Sequence, residues 1–329
     1  MTPVPLTADA NDTDFGKGFK KETNVEFLLF LATIHAFQNN ELYSDDKSLR
    51  IIGKNEFINI VEHSTNPAVS GNDFFANFVL TKENLQKQLR KNEKIIWVMG
   101  ANKYRLELRP FICLDDENVI VPYGTLEQAK QLWVSYQSNG GMCYTIPSKM
   151  DPIKESLDRR NTELSDILLE KIREVLLAYT TPLIDLIDVR YDRIFGEKDI
   201  DYGDYDIVFY SAESKELFLI EAKYFSDSLN ASGVVTDYEK MYQANGYYDH
   251  CRHRYDLVIK EKEKLKAFLG IEDSVKLHML FVSSKPLEMD LRDEDEMVTI
   301  LPLGLLDMYL NGKLLDGETG KVIETAWMI

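Results

Sequence analysis

Cysteine is scarce. Cys113, Cys143 and Cys251 are the three in 329 residues, and their spacing matches neither a disulfide framework nor a paired zinc motif. A reducing, cytoplasmic setting follows as the expectation. His250, Cys251 and His253 cluster but lack a second ligand pair, so they read as a solvated helix face. Long apolar runs are also missing. The stretch 25–37 is nearly all apolar, yet it is thirteen residues long and holds Glu26 and His35, which fits a buried helix and no membrane span. The N-terminus lines up no basic stretch, apolar segment and small-residue cleavage site, so no secretory signal is expected. The first 150 residues hold no glycine-rich loop suited to a phosphate or a dinucleotide, and no internal repeat is visible. Positive charge is in deficit as well, with 38 Lys and Arg against 55 Asp and Glu giving a net charge of −17. Such a balance repels nucleic acid at long range unless basic residues are concentrated locally.

Against these absences stands one compact pattern. Asp206-Ile-Val-Phe-Tyr210 is followed by a polar turn and then by Leu217-Phe-Leu-Ile220, which runs into Glu221-Ala222-Lys223. Two β-branched and aromatic runs across a short polar connection predict a hairpin. The second run is apolar on both faces, as in a central strand covered on both sides. Alternation along a strand puts Glu221 and Lys223 on one face and Ala222 on the other. Uncompensated charges at a buried strand end cost several kcal/mol, so they need a partner. A hard divalent cation between Asp206 and Glu221 would supply one, because Mg²⁺ takes one or two carboxylates and keeps several waters. The Ala222 carbonyl completes that sparse ligand set. Lys223 then sits where it orients a metal-bound water and stabilises charge in a transition state. A chain this rich in acids and lysines repeats the triplet form at Glu213-Ser214-Lys215.

The order and spacing of Asp206 and Glu221-Ala222-Lys223 resemble the PD-(D/E)XK nuclease superfamily. Downstream, Gln243-Ala-Asn-Gly-Tyr247 is similar to the Gln-x-x-x-Tyr element of its RecB-like branch. The resemblance covers residues 151–285. It implies an α/β restriction-endonuclease-like core of a mixed sheet flanked by helices, with Mg²⁺ (or Mn²⁺) held by Asp206, Glu221 and Ala222 and catalysis by Asp206, Glu221 and Lys223. It also implies a Glu on the first core helix, where Glu170 and Glu174 both qualify by distance and Glu170 is preferred. Gln243 and Tyr247, four apart on one helix face, contact the nucleic-acid backbone or brace the site in that branch.

The expected order of this core is a helix over 162–179, a strand over 186–195, the two strands of the hairpin, one helix over 236–266, and a strand over 275–282. A strand over 298–301 and a helix over 303–310 complete it, after an acidic run at 288–296 that reads as a solvated loop. The division expected is a C-terminal nuclease-like domain over 151–329 and a separate N-terminal α+β domain over 1–150. In the latter the first 21 residues are poor in structure signals and are expected to be disordered or attached to a partner, strands are expected over 94–99, 104–114 and 118–122, and Thr125-Leu-Glu-Gln128 forms a capping box opening a helix to 137. Arg252 and Arg254 with Lys260, Lys262, Lys264 and Lys266, and a second set of Lys82, Lys87, Arg90, Lys91, Lys94, Lys103, Arg105 and Arg109, are placed to track phosphates. The functional expectation is a Mg²⁺-dependent DNA endonuclease, with exonuclease action less favoured, RNA open as a substrate, and a bacterial defence or repair role by analogy. The acidity points to a protein partner or homo-oligomer that aids or restrains it. The alternative is a catalytically silent nuclease-like fold serving as an assembly module.

Overall fold

Apolar runs in the C-terminal half of the chain set the larger of two sheets. The computed structural model describes residues 8–39, 49–84, 106–141, 152–226, 231–287, 298–324 and 327–329. These form two compact units, one of residues 1–162 with 226–232 and one of residues 163–225 with 233–329. The division falls inside a helix, Pro152–Tyr179, between residues 162 and 163. Both units are mixed α and β, each with a mixed sheet flanked by helices.

The first unit contains α1 (Asp14–Thr23), α2 (Phe27–Asn39), β1 (Leu49–Gly53), α3 (Lys54–His63), α4 (Gly71–Phe78), β2 (Val79–Leu80), β3 (Phe111–Cys113), β4 (Asn118–Pro122) and α5 (Tyr123–Asn139). Its sheet order is β1-β4-β3-β2, antiparallel except for β2 with β3. The core is aromatic, with Phe19 in ring contact with Phe30, Phe78 and Trp133. Three expectations change here. The N-terminal stretch is helical from Asp14, because Thr13 caps it by accepting from the Gly16 N–H and Phe15 and Phe19 anchor it in the core. The helix α5 starts at Tyr123, so Thr125 lies inside it and its hydroxyl donates to the Pro110 and Pro122 carbonyls instead of forming a capping box. The strand expected over 104–114 narrows to β3, and the one over 94–99 lies outside the described residues.

The second unit takes the later part of α6 (Pro152–Tyr179), then β5 (Ile184–Arg190), α7 (Tyr191–Phe195), β6 (Asp204–Ser211), β7 (Glu216–Lys223), α8 (Ala231–Tyr242), α9 (Tyr247–Lys260), α10 (Lys262–Leu269), β8 (Lys276–Ser283), β9 (Thr299–Pro302), α11 (Leu303–Leu310) and β10 (Trp327–Met328). The sheet runs β10-β8-β7-β6-β5, with β9 also on β8. The β6–β7 hairpin is antiparallel and β7 lies parallel to β8, as the crossover through the intervening helices requires. Alternation separates two cores. Phe218, Ile220 and Ala222 face Leu168, Ile172 and Leu176 of α6 on one side, while Leu217 and Leu219 face Leu257 and Val258 of α9 on the other.

Two expected elements break. The strand over 186–195 ends at Arg190, and a helical turn follows because Tyr191, Ile194 and Phe195 bury at helical spacing and the Tyr191 N–H donates to the Gly203 carbonyl. The single helix over 236–266 is three helices. Asn245 takes the left-handed conformation (φ 61°), and a Cβ on Gly246 would stand 2.7 Å from the Met241 carbonyl oxygen and 2.8 Å from that of Gln243. Glycine is therefore required by close backbone approach.

The core of this unit should be intolerant at Phe218, which is fully buried, stacks on His278 at 4.5 Å and meets Phe209 edge-on at 6.0 Å. Phe218→Ala should cost about 3–5 kcal/mol in urea unfolding without a changed m-value; a loss under about 1 kcal/mol would contradict this packing.

Candidate functional site

The hairpin register pairs Ile207 with Ile220, and one further step sets Asp206 opposite Glu221. The pairing brings together the residues that the sequence singles out. Asp206 Oδ2 accepts from the Ala222 N–H at 2.7 Å and from Lys223 Nζ at 3.0 Å. The same Lys223 Nζ lies 2.6 Å from Glu221 Oε1, so one ammonium bridges both carboxylates. On the other side of Glu221, Arg254 from α9 reaches Oε2 at 2.5 Å. That oxygen meets no hydrogen-bond geometry, so the contact is an ion pair set by distance and charge. Two acids and two bases leave the cluster formally neutral.

The electrostatics follow from burial and like charge. Burial, then the neighbouring Glu221 carboxylate, push the Asp206 carboxyl above the usual range, and Lys223 and the Ala222 N–H only partly offset them. Burial opposes the Lys223 ammonium, but Glu221 and Asp206 outweigh it and hold its pKa above the ordinary lysine value. Arg254 is held up in the same way by Glu221. Lys223 Nζ also lies 5.7 Å from the Tyr247 ring, which packs against Phe225 and Phe281 and whose hydroxyl is raised chiefly by burial.

Other expected residues fall elsewhere. Glu170 is exposed on α6, whose buried line of Leu168, Ile172 and Leu176 packs on the Ala222 face of the sheet, opposite to Glu221 and Lys223. It is not a member of the site, and Glu174 pairs with Lys171 at 2.7 Å. Gln243 is exposed in the turn between α8 and α9, so it shares no helix face with Tyr247. Arg252 is exposed, its guanidinium 5.9 Å from the Tyr248 ring, at the end of a run of rings through Tyr242 and Tyr238. Arg254, by contrast, is 4% exposed, with its guanidinium turned to Glu221 and the Asp204 carbonyl. It falls in the buried stripe Cys251, Arg254, Tyr255, Val258, a helical i, i+3, i+4, i+7 series that was visible in the sequence. Asp237 was also missed; it is buried on α8 and paired with Lys285 at 3.2 Å. In the lysine-rich helix Lys264 is tied to Glu261 at 2.6 Å, and of the N-terminal basic set Lys87, Arg90, Lys91, Lys94, Lys103 and Arg105 lie outside the described residues.

Among the described residues no three His, Cys, Asp or Glu side chains converge as a ligand set. Cys251 is buried while His253 is exposed, which separates that trio. What remains for a hard cation is the pair Asp206 and Glu221. Their adjacency, with the ionised form of one opposed by the other, suits Mg²⁺, which relieves like charge and draws its remaining ligands from water. No protein-family model, curated protein or solved structure matches this chain.

The raised Asp206 carboxyl carries a stability consequence. The folded state holds this proton more tightly than the unfolded chain, so ionisation opposes folding at neutral pH and the cost fades as pH falls through the folded pKa. Asp206→Asn keeps an oxygen for the Ala222 N–H and should raise Tm at pH 7.5 by roughly 2–4 °C. The gain should shrink toward pH 4 in a thermal melt series, and a lower Tm at every pH would refute the account.

Proposed function

We propose that the second unit is a metal-dependent nuclease with a restriction-endonuclease-like core that hydrolyses phosphodiester bonds of DNA. The observation that carries this reading is the meeting of Asp206, Glu221 and Lys223 at adjacent positions of two central strands, with Lys223 Nζ within 3.0 Å of both carboxylates. Mg²⁺, with Mn²⁺ as substitute, would be held by Asp206, Glu221 and the Ala222 carbonyl, and it supplies charge neutralisation and an activated water. The chain's own residues then divide the work. Lys223, kept fully protonated by its neighbours, is the donor aimed at developing negative charge. The Ala222 N–H and Lys223 both fix Asp206 Oδ2, which orients that carboxylate before any ligand arrives. Tyr247 walls the site beside Lys223. Arg252 over Tyr248 offers a cation and an aromatic face to nucleic acid on the same helix.

No described helix is long and apolar enough to cross a membrane. Cys113 and Cys251 are free thiols, consistent with a cytoplasmic enzyme. With a charge of −17, the chain's grip on DNA is weak by itself, and a protein partner or a second copy supplies or restrains it, as in a defence or repair nuclease.

One observation favours a second reading. Lys223 and Arg254 already neutralise Asp206 and Glu221, and a self-compensated cluster is also what a silent nuclease-like assembly module would retain.

Plasmid and single-stranded DNA and RNA, incubated with Mg²⁺, Mn²⁺ or EDTA, separate the two. Wild type should cleave with metal and stop with EDTA. Lys223→Ala should lower kcat by about 10²–10³ with binding retained. Asp206→Ala and Glu221→Ala should abolish cleavage and weaken Mn²⁺ binding in calorimetry. Unaltered Mn²⁺ affinity in both would exclude the metal site, and cleavage by Lys223→Ala at the wild-type rate would make the triplet incidental.

Binding of oligonucleotides by the chain alone should weaken steeply between 50 and 200 mM salt. Tight, salt-insensitive binding by the isolated chain would contradict the need for a partner.

A further inference from the structure

Arg254 is an unusual resident for the interior of this unit. It is 4% exposed, its guanidinium reaches Glu221 Oε2 at 2.5 Å and donates to the Asp204 carbonyl, and its Cζ stands 5.6 Å from the Tyr205 ring centre. A buried arginine has a large desolvation cost, so a charge partner of equal burial is needed, and Glu221, with a side chain 11% exposed, is that partner. The contacts come from two strands, β7 through Glu221 and β6 through the Asp204 backbone and the Tyr205 ring. Glu221 is gripped from two sides at different oxygens, Arg254 on Oε2 and Lys223 on Oε1.

We infer that Arg254 is a positioning residue for the site, anchoring Glu221 by Oε2 so that Oε1 alone is presented toward Asp206 and the cation position. The inference rests on the proposed metal-dependent function and adds a determinant that its sequence pattern does not contain. Charge and orientation make opposite demands. As a mere counter-charge, Arg254 repels an incoming cation, and its removal tightens metal binding. As an anchor, it holds the ligand oxygen in place, and its removal lets Glu221 fold onto Lys223 and loosens metal binding. Orientation governs here, because Lys223 already stands 2.6 Å from Oε1 and would take both oxygens once Oε2 is released. Outer contacts to metal ligands commonly change affinity about 10–100-fold.

The test is Mn²⁺ calorimetry with cleavage kinetics on the full chain. Arg254→Met should weaken Mn²⁺ binding at least about tenfold and reduce kcat with KM for the oligonucleotide unchanged, and Arg254→Lys should recover most of the affinity. Tyr205→Phe keeps the ring under Arg254 and removes only a hydroxyl that has no hydrogen-bond partner among the described residues, so it should stay within about twofold of wild type. Tighter Mn²⁺ binding by Arg254→Met would show a counter-charge only. A raised KM with unchanged kcat would return Arg254 to a phosphate contact. Either result overturns the inference. A metal-free measurement tests the pair separately. Arg254→Met should lower Tm by on the order of 10 °C, and adding Glu221→Gln should recover at least half of that loss, because a buried carboxylate that has lost one of its two counter-charges is what destabilises the single variant. Additive losses would sink the anchor even in a protein that cleaves DNA. A wild type that neither binds Mn²⁺ nor cleaves, but shows the Tm recovery, would retain the anchored Glu221 and remove the nuclease function alone.

Discussion

A single ammonium group makes this site possible. Asp206 and Glu221 face each other across two central strands, close enough that the Glu221 carboxylate opposes ionisation of Asp206, and both are largely removed from water. Without a cation between them the strand ends could not bury as charged groups. Lys223 supplies that cation from within the same strand, two residues beyond Glu221 and therefore on the same face. The other half of the balance comes from Arg254, which travels in on a helix from far along the chain. The sheet is thus closed electrostatically by one local and one distant residue.

The two faces of the sheet serve different ends. On one, Phe218, Ile220 and Ala222 meet the aliphatic line of α6, and the chemistry there is packing alone. The polar exception is Glu216, which accepts from the Tyr179 hydroxyl at 2.9 Å and lies 3.3 Å from His278, at the opposite end of β7 from the site. On the other face the apolar residues give way to Glu221, Lys223 and Tyr247 as the strand ends. At the strand end the two carboxylates keep a small exposure, 17% for Asp206 and 11% for Glu221, while the apolar part of the strand stays buried.

Local pattern carried much of this into the sequence. The hairpin, the central position of β7, the parallel partner β8 and the helix Leu303–Leu310 follow from runs of four to eight apolar residues bounded by polar turns, and each lies where that pattern placed it. The acids and lysine were legible because their spacing within two strands fixes their faces. What was illegible depended on distant contacts. Arg254 was assigned to solvent by its charge, although its place in the stripe with Cys251, Tyr255 and Val258 put it inside, because the compensating Glu221 is 33 residues away in sequence. Helical periodicity runs unbroken through Gln243 to Tyr247, and only the backbone approach at Gly246 shows why the helix stops there. Tyr191 to Phe195 reads as strand by composition and is helical because its buried residues fall on one side of a turn. Glu170 was chosen by distance along the chain, whereas sheet topology puts its helix on the wrong face.

Ser211 pairs with Glu216, and the residues between them, including Lys215 at φ 55°, form an exposed turn of no evident chemical importance. Yet that turn sets the register by which Asp206 meets Glu221. A slip of one residue would exchange the faces of β7, carrying Glu221 and Lys223 among Leu168, Ile172 and Phe209 and turning Ile220 toward Asp206. Insertions and deletions at this surface loop are therefore far more restricted than its exposure suggests. Residue identity there is free to drift, but loop length is tied to the meeting of Asp206 and Glu221, six residues from the turn along each strand.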